Sequence, residues 1–185
     1  MSDPFADARV VAVSRDDAHR FSKQPMRSIT LIAGIGVTGD AHAGTTVQHL
    51  SRVRRDPTTP NLRQVHVIHS ELFGQVAERG HEVEPGQLGE NVTTEGIDIL
   101  ALPRGARLTL GETAVIEITG LRNPCTQING LSPGLMKELV HVDDAGRTVR
   151  LAGVMSVVLH GGVVRAGDRI HVELPVGAHE PLGPV

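Results

Sequence analysis

The chain has 185 residues, with one cysteine, three phenylalanines and neither tryptophan nor tyrosine. A single cysteine excludes an internal disulfide framework and a cysteine-only zinc cage, and it suits a reducing cytoplasm. A net charge of −3 and 2% aromatic residues exclude the basic footprint of a duplex binder and the stacking platform of a single-strand binder.

The length suits one domain, over residues 9–174, with flexible termini at 1–8 and 175–185. The core must be aliphatic, because so few phenylalanines cannot fill it. No stretch approaches the ~18 apolar residues of a membrane span. The first residues (MSDPFADARV) carry early acids and no apolar signal segment, so a cytoplasmic location is expected.

In chain order, residues 9–14 (RVVAVS) form a short apolar strand. Residues 15–27 are a polar loop holding Phe21, Ser22 and Lys23. Residues 28–33 (SITLIA) form a second strand by their β-branched content. A glycine-punctuated loop spans 34–44, and residues 52–61, with three arginines and two prolines, read as an exposed connector. Residues 63–69 (RQVHVIH) form a strand. Its His66 and His69, three apart, point to opposite faces.

Ser70 is a plausible N-cap with Glu71 at the positive end of a helix. Leu72, Phe73 and Val76 share one face of that helix, and Gly80 sits at its end. Residues 85–97 are rich in Gly and Thr and read as irregular. Residues 107–110 and 113–119 flank Gly111-Glu112 as a β-hairpin. Ser132-Pro133 opens a second short helix, with Pro at its first position. Residues 153–159 and 169–174 are the last strands. Strands do not alternate with long helices, so a Rossmann-type sheet is disfavoured. The expected fold is mainly β with short helices, a mixed and largely antiparallel β-barrel whose closure protects strand edges.

Three clusters carry chemistry. The first is Gly39-Asp40-Ala41-His42-Ala43-Gly44, with His49 downstream. Its glycines allow close backbone approach. Asp40 and His42 read either as part of a metal site or as an Asx-turn beside exposed histidines. The second runs from Gly86 to Gly96 and brackets Glu90, Asn91, Thr93 and Thr94. It is either an anion-binding nest with side-chain donors or an ordinary turn-rich crossover. The third, Arg122-Asn123-Pro124-Cys125, holds the only thiol. Cys125 is either a reactive thiolate favoured by Arg122, where the loop folds back, or a small buried apolar residue.

Taken in order, these segments resemble the MOSC family, the domain named after the C-terminal part of molybdenum cofactor sulfurase. The resemblance rests on FSK (21–23), GVTGDAHAG (36–44), VQHLS (47–51), RQVHVI (63–68) and GQLGENVTTEGID (86–98). It continues through LPRGARLTLG (102–111), TGLRNPCTQI (119–128) and GGVVRAGDRIHV (161–172). It implies a barrel-like fold and a molybdenum-pterin cofactor with Cys125 as metal ligand. It also implies Cys125, His42 and Asp40 as catalytic groups, and Arg122, Asn91, Thr93, Glu90, Gly39, Gly44 and Arg63 as residues that hold the cofactor.

The implied activity is reduction of N-hydroxylated small molecules with electrons from a partner. Two alternatives are a sulfur carrier using a Cys125 persulfide, and an anion-binding module with an inert cysteine. No aminotransferase-like segment accompanies the match, so pyridoxal phosphate is not implied. One cysteine cannot hold an iron–sulfur cluster, and no flavin motif occurs. A redox or sulfur-donor protein is therefore an expected partner, and a second copy of the chain is another way to complete the site; neither nucleic acid nor membrane is expected.

Overall fold

The structure, a computed structural model, describes residues 5–185. Its strands are β1 (Arg9–Arg15), β2 (Gln24–Met26), β3 (Ile29–Ile32), β4 (Gly36–Val37), β5 (Val65–His69), β6 (Val92–Glu95), β7 (Arg107–Leu110) and β8 (Ala114–Leu121). They continue with β9 (Val140–Val142), β10 (Thr148–Arg150), β11 (Val154–His160), β12 (Gly162–Val164) and β13 (Ile170–Glu173). Three short helices, α1 (Leu50–Arg55), α2 (Glu71–Ala77) and α3 (Leu135–Leu139), and a 3-10 turn, Thr126–Gly130, complete it. Among the described residues no helix is long and apolar enough to cross a membrane.

One large sheet runs in the order β13-β7-β8-β11-β5-β6-β1-β2, and the smaller sheets are β12-β3-β4 and β10-β9. The pairs are antiparallel except β5–β6. That parallel pair needs a crossover, which α2 supplies. The fold class is therefore mainly β and antiparallel-dominated, as expected. A continuous closed barrel is not formed. The large sheet curls until β13 approaches the start of β1, but they meet through an isolated bridge, Arg9 to Arg169. Backbone bonds from Val10 N to Asp168 O and from Ile170 N to Ala8 O flank it.

The core is aliphatic. β8 alternates strictly, with Ala114, Ile116, Ile118 and Gly120 turned inward. β5 is buried along its whole length, as a strand covered on both faces must be. A second, smaller apolar cluster joins Ile68, Leu72, Val76, Leu88, Ile128, Leu135 and Leu139 beneath α2 and α3, with Phe21 and Phe73 against it.

Several local expectations need correction. The segment read as irregular contains β6, whose Thr93 and Thr94 are buried in the sheet. The exposed connector begins as α1, with no buried residue. Ser70 occupies the N-cap of α2 but makes no capping bond. The second helix starts at Leu135 after Gly134, so Pro133 lies outside it. The expected loose lead-in falls outside the described residues for its first four positions, and Ala8 is buried in the core. The segment after Pro175, read as a flexible tail, returns along β8. Leu121 N donates to Gly183 O at 2.7 Å and Val185 N donates to Leu121 O at 3.2 Å.

Gly153 ties the core to the segment carrying the thiol. It has φ +83°, and a Cβ there would overlap the carbonyl oxygen of Val67. Its own carbonyl accepts from Arg122 N at 2.9 Å. Gly153→Ala therefore combines left-handed strain with overpacking and should cost about 2–5 kcal/mol, read as a drop in the urea midpoint.

Candidate functional site

Strands β5 and β11, the loop before β2, α1 and the segments that follow β4 and β8 line a cavity of about 450 Å³. Lys23, His42, Arg63, His66, Asn91, Arg122 and Cys125 line it, and Arg20, Arg52, Arg54, His19 and His49 approach its mouth. No aspartate or glutamate is among its lining residues. An acidic chain thus presents a strongly cationic cavity. This size falls in the range usual for small-molecule sites, about 300–1,000 Å³.

Cys125 is half-buried and lies just before the 3-10 turn. Among the described residues its sulfur has one hydrogen-bond partner, the Gln127 Oε1 at 3.5 Å. The buried apolar reading of this cysteine is therefore wrong: Pro124 and the turn hold it at the cavity wall. Arg122 is 8% exposed, its Nη1 has no partner, and its guanidinium lies 5.7 Å from the centroid of the Phe21 ring. Burial draws Arg122 below its ordinary value, while a thiolate at Cys125 and the Glu90 carboxylate favour its charge. Arg63 is drawn down to about 10, by burial first and then by Arg52 and Arg122, and again the Cys125 thiolate opposes the shift. Both guanidiniums remain charged at neutral pH. The two arginines and the sulfur thus share one electrostatic environment.

Beneath the wall lies a polar hub. Lys23 Nζ donates to Asp40 Oδ2 at 2.6 Å, and Asn91 Nδ2 donates to the same oxygen at 2.9 Å. The other carboxylate oxygen accepts from His42 N at 2.9 Å and lies 3.2 Å from His42 Nδ1. Burial alone would raise the Asp40 carboxyl, but the His42 bond and the Lys23 charge outweigh it and hold it well below the carboxylate range. The Asx-turn reading of Asp40 is thus correct locally, and the metal reading is not. Among the described residues no group of three or more His, Cys, Asp or Glu is placed to hold a metal ion. Asp40 is already committed to an ammonium, and His49 meets His42 ring to ring, with centroids 6.4 Å apart.

Asp40→Asn leaves the Lys23 ammonium buried without its counter-charge. We expect a loss of about 3–5 kcal/mol at neutral pH, and a Lys23→Met, Asp40→Asn double variant should recover most of it. The Asp40 contribution is complete above its unfolded-state value and is lost as pH falls below it, because the folded-state value is depressed. Denaturant titrations across the acid range should therefore show a shallower pH dependence in the double variant than in the parent.

The remaining expected site residues divide. Asn91, Arg63, Arg122, His42 and Cys125 share the cavity, with Asp40 behind it. Glu90 and Thr93 do not line it: Glu90 is fully buried, and its Oε1 accepts from Gly86 N at 2.5 Å and from Thr93 Oγ1 at 3.2 Å. Gly39 and Gly44 do not line it either. The glycine at 39 accommodates the Arg15 side chain, and the glycine at 44 the Gln48 amide.

Two features escape the sequence reading. His66, correctly separated from His69, forms part of the cavity floor, with Nε2 2.7 Å from Ala152 O. Burial, then Arg122, holds this imidazole well below its ordinary value, so it is neutral. Arg52 and Arg54, in the segment read as an exposed connector, are exposed and also line the cavity.

The architecture has solved counterparts. The YuaD protein of Bacillus subtilis superimposes with a TM-score of 0.72 at 24% identity, over 89% of this chain and 94% of that one. YiiM from Geobacillus stearothermophilus gives 0.64 at 19% identity, over 94% of this chain and 79% of that one. YiiM from Escherichia coli gives 0.61 at 18%, over 93% and 73% respectively. No curated protein sequence matches the chain. Residues 41–171, which include Cys125, Arg122, Arg63, Asn91 and His42, match the MOSC domain model. The chain therefore belongs to the MOSC domain family, a family associated with binding of the molybdenum cofactor.

Proposed function

We propose that the chain binds a molybdenum-pterin cofactor through Cys125 and reduces N-hydroxylated small molecules with electrons from a partner protein. The observation that carries this reading is the nine-tenths buried Arg122 guanidinium, with no hydrogen-bond partner at Nη1, beside an accessible sulfur in a cavity without carboxylates. A buried unpartnered cation is costly unless an anion arrives to meet it. The donor set fits the group. A single thiolate is a soft ligand for a transition metal, and Arg122, Arg63 and the Asn91 side chain suit a phosphate-bearing pterin.

When bound, the molybdenum centre supplies two-electron redox chemistry and an acceptor for the substrate oxygen. The chain supplies position and protons. Conversion of N–OH to N–H with release of water consumes two electrons and two protons. On this reading His42 delivers one of the protons. Its Nδ1–H donates to Asp40, which fixes the ring and leaves Nε2 as the exchanging atom. Lys23 and Asn91 hold Asp40 in place, so they act on His42 through it.

The test is expression with molybdate in cells that make the cofactor, followed by molybdenum and pterin analysis of the purified protein. Near-stoichiometric metal supports the reading. Folded protein without molybdenum under those conditions overturns it. A gain of one sulfur atom at Cys125 in the intact mass, without metal, would favour the persulfide-carrier alternative. The absence of Trp and Tyr leaves the near-ultraviolet spectrum almost clear, so a bound chromophore should stand out.

A further inference from the structure

The cavity holds more positive charge than one cofactor phosphate needs. Arg63 and Arg122 form its inner pair, close to Cys125. Arg52 and Arg54, on α1, form an outer pair, and both line the mouth. Arg52 lies near enough to Arg63 for the two charges to oppose each other. Among the described residues none of these four arginines forms a salt bridge with an aspartate or glutamate; Arg63 Nη1 donates to the oxygen of Val185, whereas the side chains of Arg52 and Arg54 have no hydrogen-bond partner.

Helix α1 has no buried residue, and Arg52, Arg54 and Arg55 fall in its last turn, where cations suit the helix dipole. The nearest acid, Asp56, is occupied: its Oδ1 accepts from Thr58 N and Oγ1, and its Oδ2 accepts from Thr59 Oγ1. The imidazoles of His19, His42 and His49 line the same cavity, with successive ring centroids 5.3 and 6.4 Å apart.

We propose that Arg52 and Arg54 form a second anion subsite at the cavity mouth, which selects phosphate-bearing substrates. This rests on the reading that the inner pair serves the cofactor, and it deepens that reading by naming the substrate class. Guanidinium forks recognise phosphate oxygens bidentately, which gives discrimination as well as attraction.

The experiment is calorimetric binding of adenosine 5′-monophosphate and of adenosine, which differ only in the phosphate, to the purified protein, with molybdenum content measured on each sample. The monophosphate should bind about tenfold or more tightly than the nucleoside, and its affinity should fall as salt rises. An Arg52→Ala, Arg54→Ala double variant should lose that advantage while retaining its molybdenum content. Equal affinity for the two compounds overturns the proposal. So does an advantage that survives in the double variant and disappears in Arg122→Met, because the phosphate would then sit on the inner pair. Absence of molybdenum from every sample counts against the cofactor reading alone, since the two variants still report where the phosphate binds.

Discussion

Cys125→Ser should empty the protein of molybdenum while leaving the fold as stable as before. The sulfur makes one weak contact, to Gln127 Oε1 at 3.5 Å, and the residue is half-buried. It stands at the N-cap of the 3-10 turn, a position that serine favours. The change in stability should therefore lie within about 0.5 kcal/mol. Molybdenum content should fall to background, because a serine hydroxyl is neither ionised nor soft at neutral pH. Metal analysis and a thermal melt on the same sample check both halves. Full metal retention in the serine variant would show that the thiol is not the ligand.

The second large effect is expected at Arg122. Arg122→Met removes a buried guanidinium that has no hydrogen-bond partner at Nη1. Removing this charge also removes its desolvation cost, which offsets the lost attraction to the Glu90 carboxylate. Methionine also keeps the contact with Phe21 through its thioether. The melting temperature without cofactor should therefore stay the same or rise. Anion affinity should fall about 10- to 100-fold, the scale of a charged hydrogen bond.

Glu90 adds a pH signature to the same variant. Burial raises its carboxyl, and Arg122 opposes that rise. Without Arg122 the carboxyl should rise further, so the folded state holds an extra proton over a wider range. Stability then falls more steeply in the variant than in the parent as pH rises above the ordinary carboxylate range. A variant that is destabilised at all pH values, or one with unchanged anion affinity, would show that Arg122 is a structural residue.

Much of the fold was legible in the chain. The strand of residues 9–14, the hairpin over 107–119, the strand beginning near 153 and the α2 helix all followed from local periodicity and turn chemistry, which act within a few residues. β6 was not legible, because its Val92–Glu95 register is set by β5 on one side and β1 on the other. Its threonines are buried by those partners rather than by any pattern of their own. Barrel closure was expected from the need to protect edges. The structure brings the edges together at only one isolated bridge, because β13 passes β1 at its first residues and then diverges.

The site shows the same division. The sequence by itself determined that one soft ligand exists, that it follows an arginine and a proline, and that the Asp40–His42 turn forms locally. Only the tertiary structure decided which of the candidate residues share a cavity. Glu90 and Thr93 lie in the same sequence cluster as Asn91, yet β6 and the preceding turn bury them together. Lys23 and Asp40 are separated in sequence, yet they meet because β1 pairs with β2, just after Lys23, while Ala41 N donates to Asp16 O just after β1. The cationic cavity is the sharpest case. The chain is acidic overall, and nothing local separates Arg52, Arg54, Arg63 and Arg122 from the arginines that carry carboxylate partners. Coulomb interactions act through space, so the sign of the field at Cys125 was fixed only when α1, Arg63 and the segment after β8 were folded together.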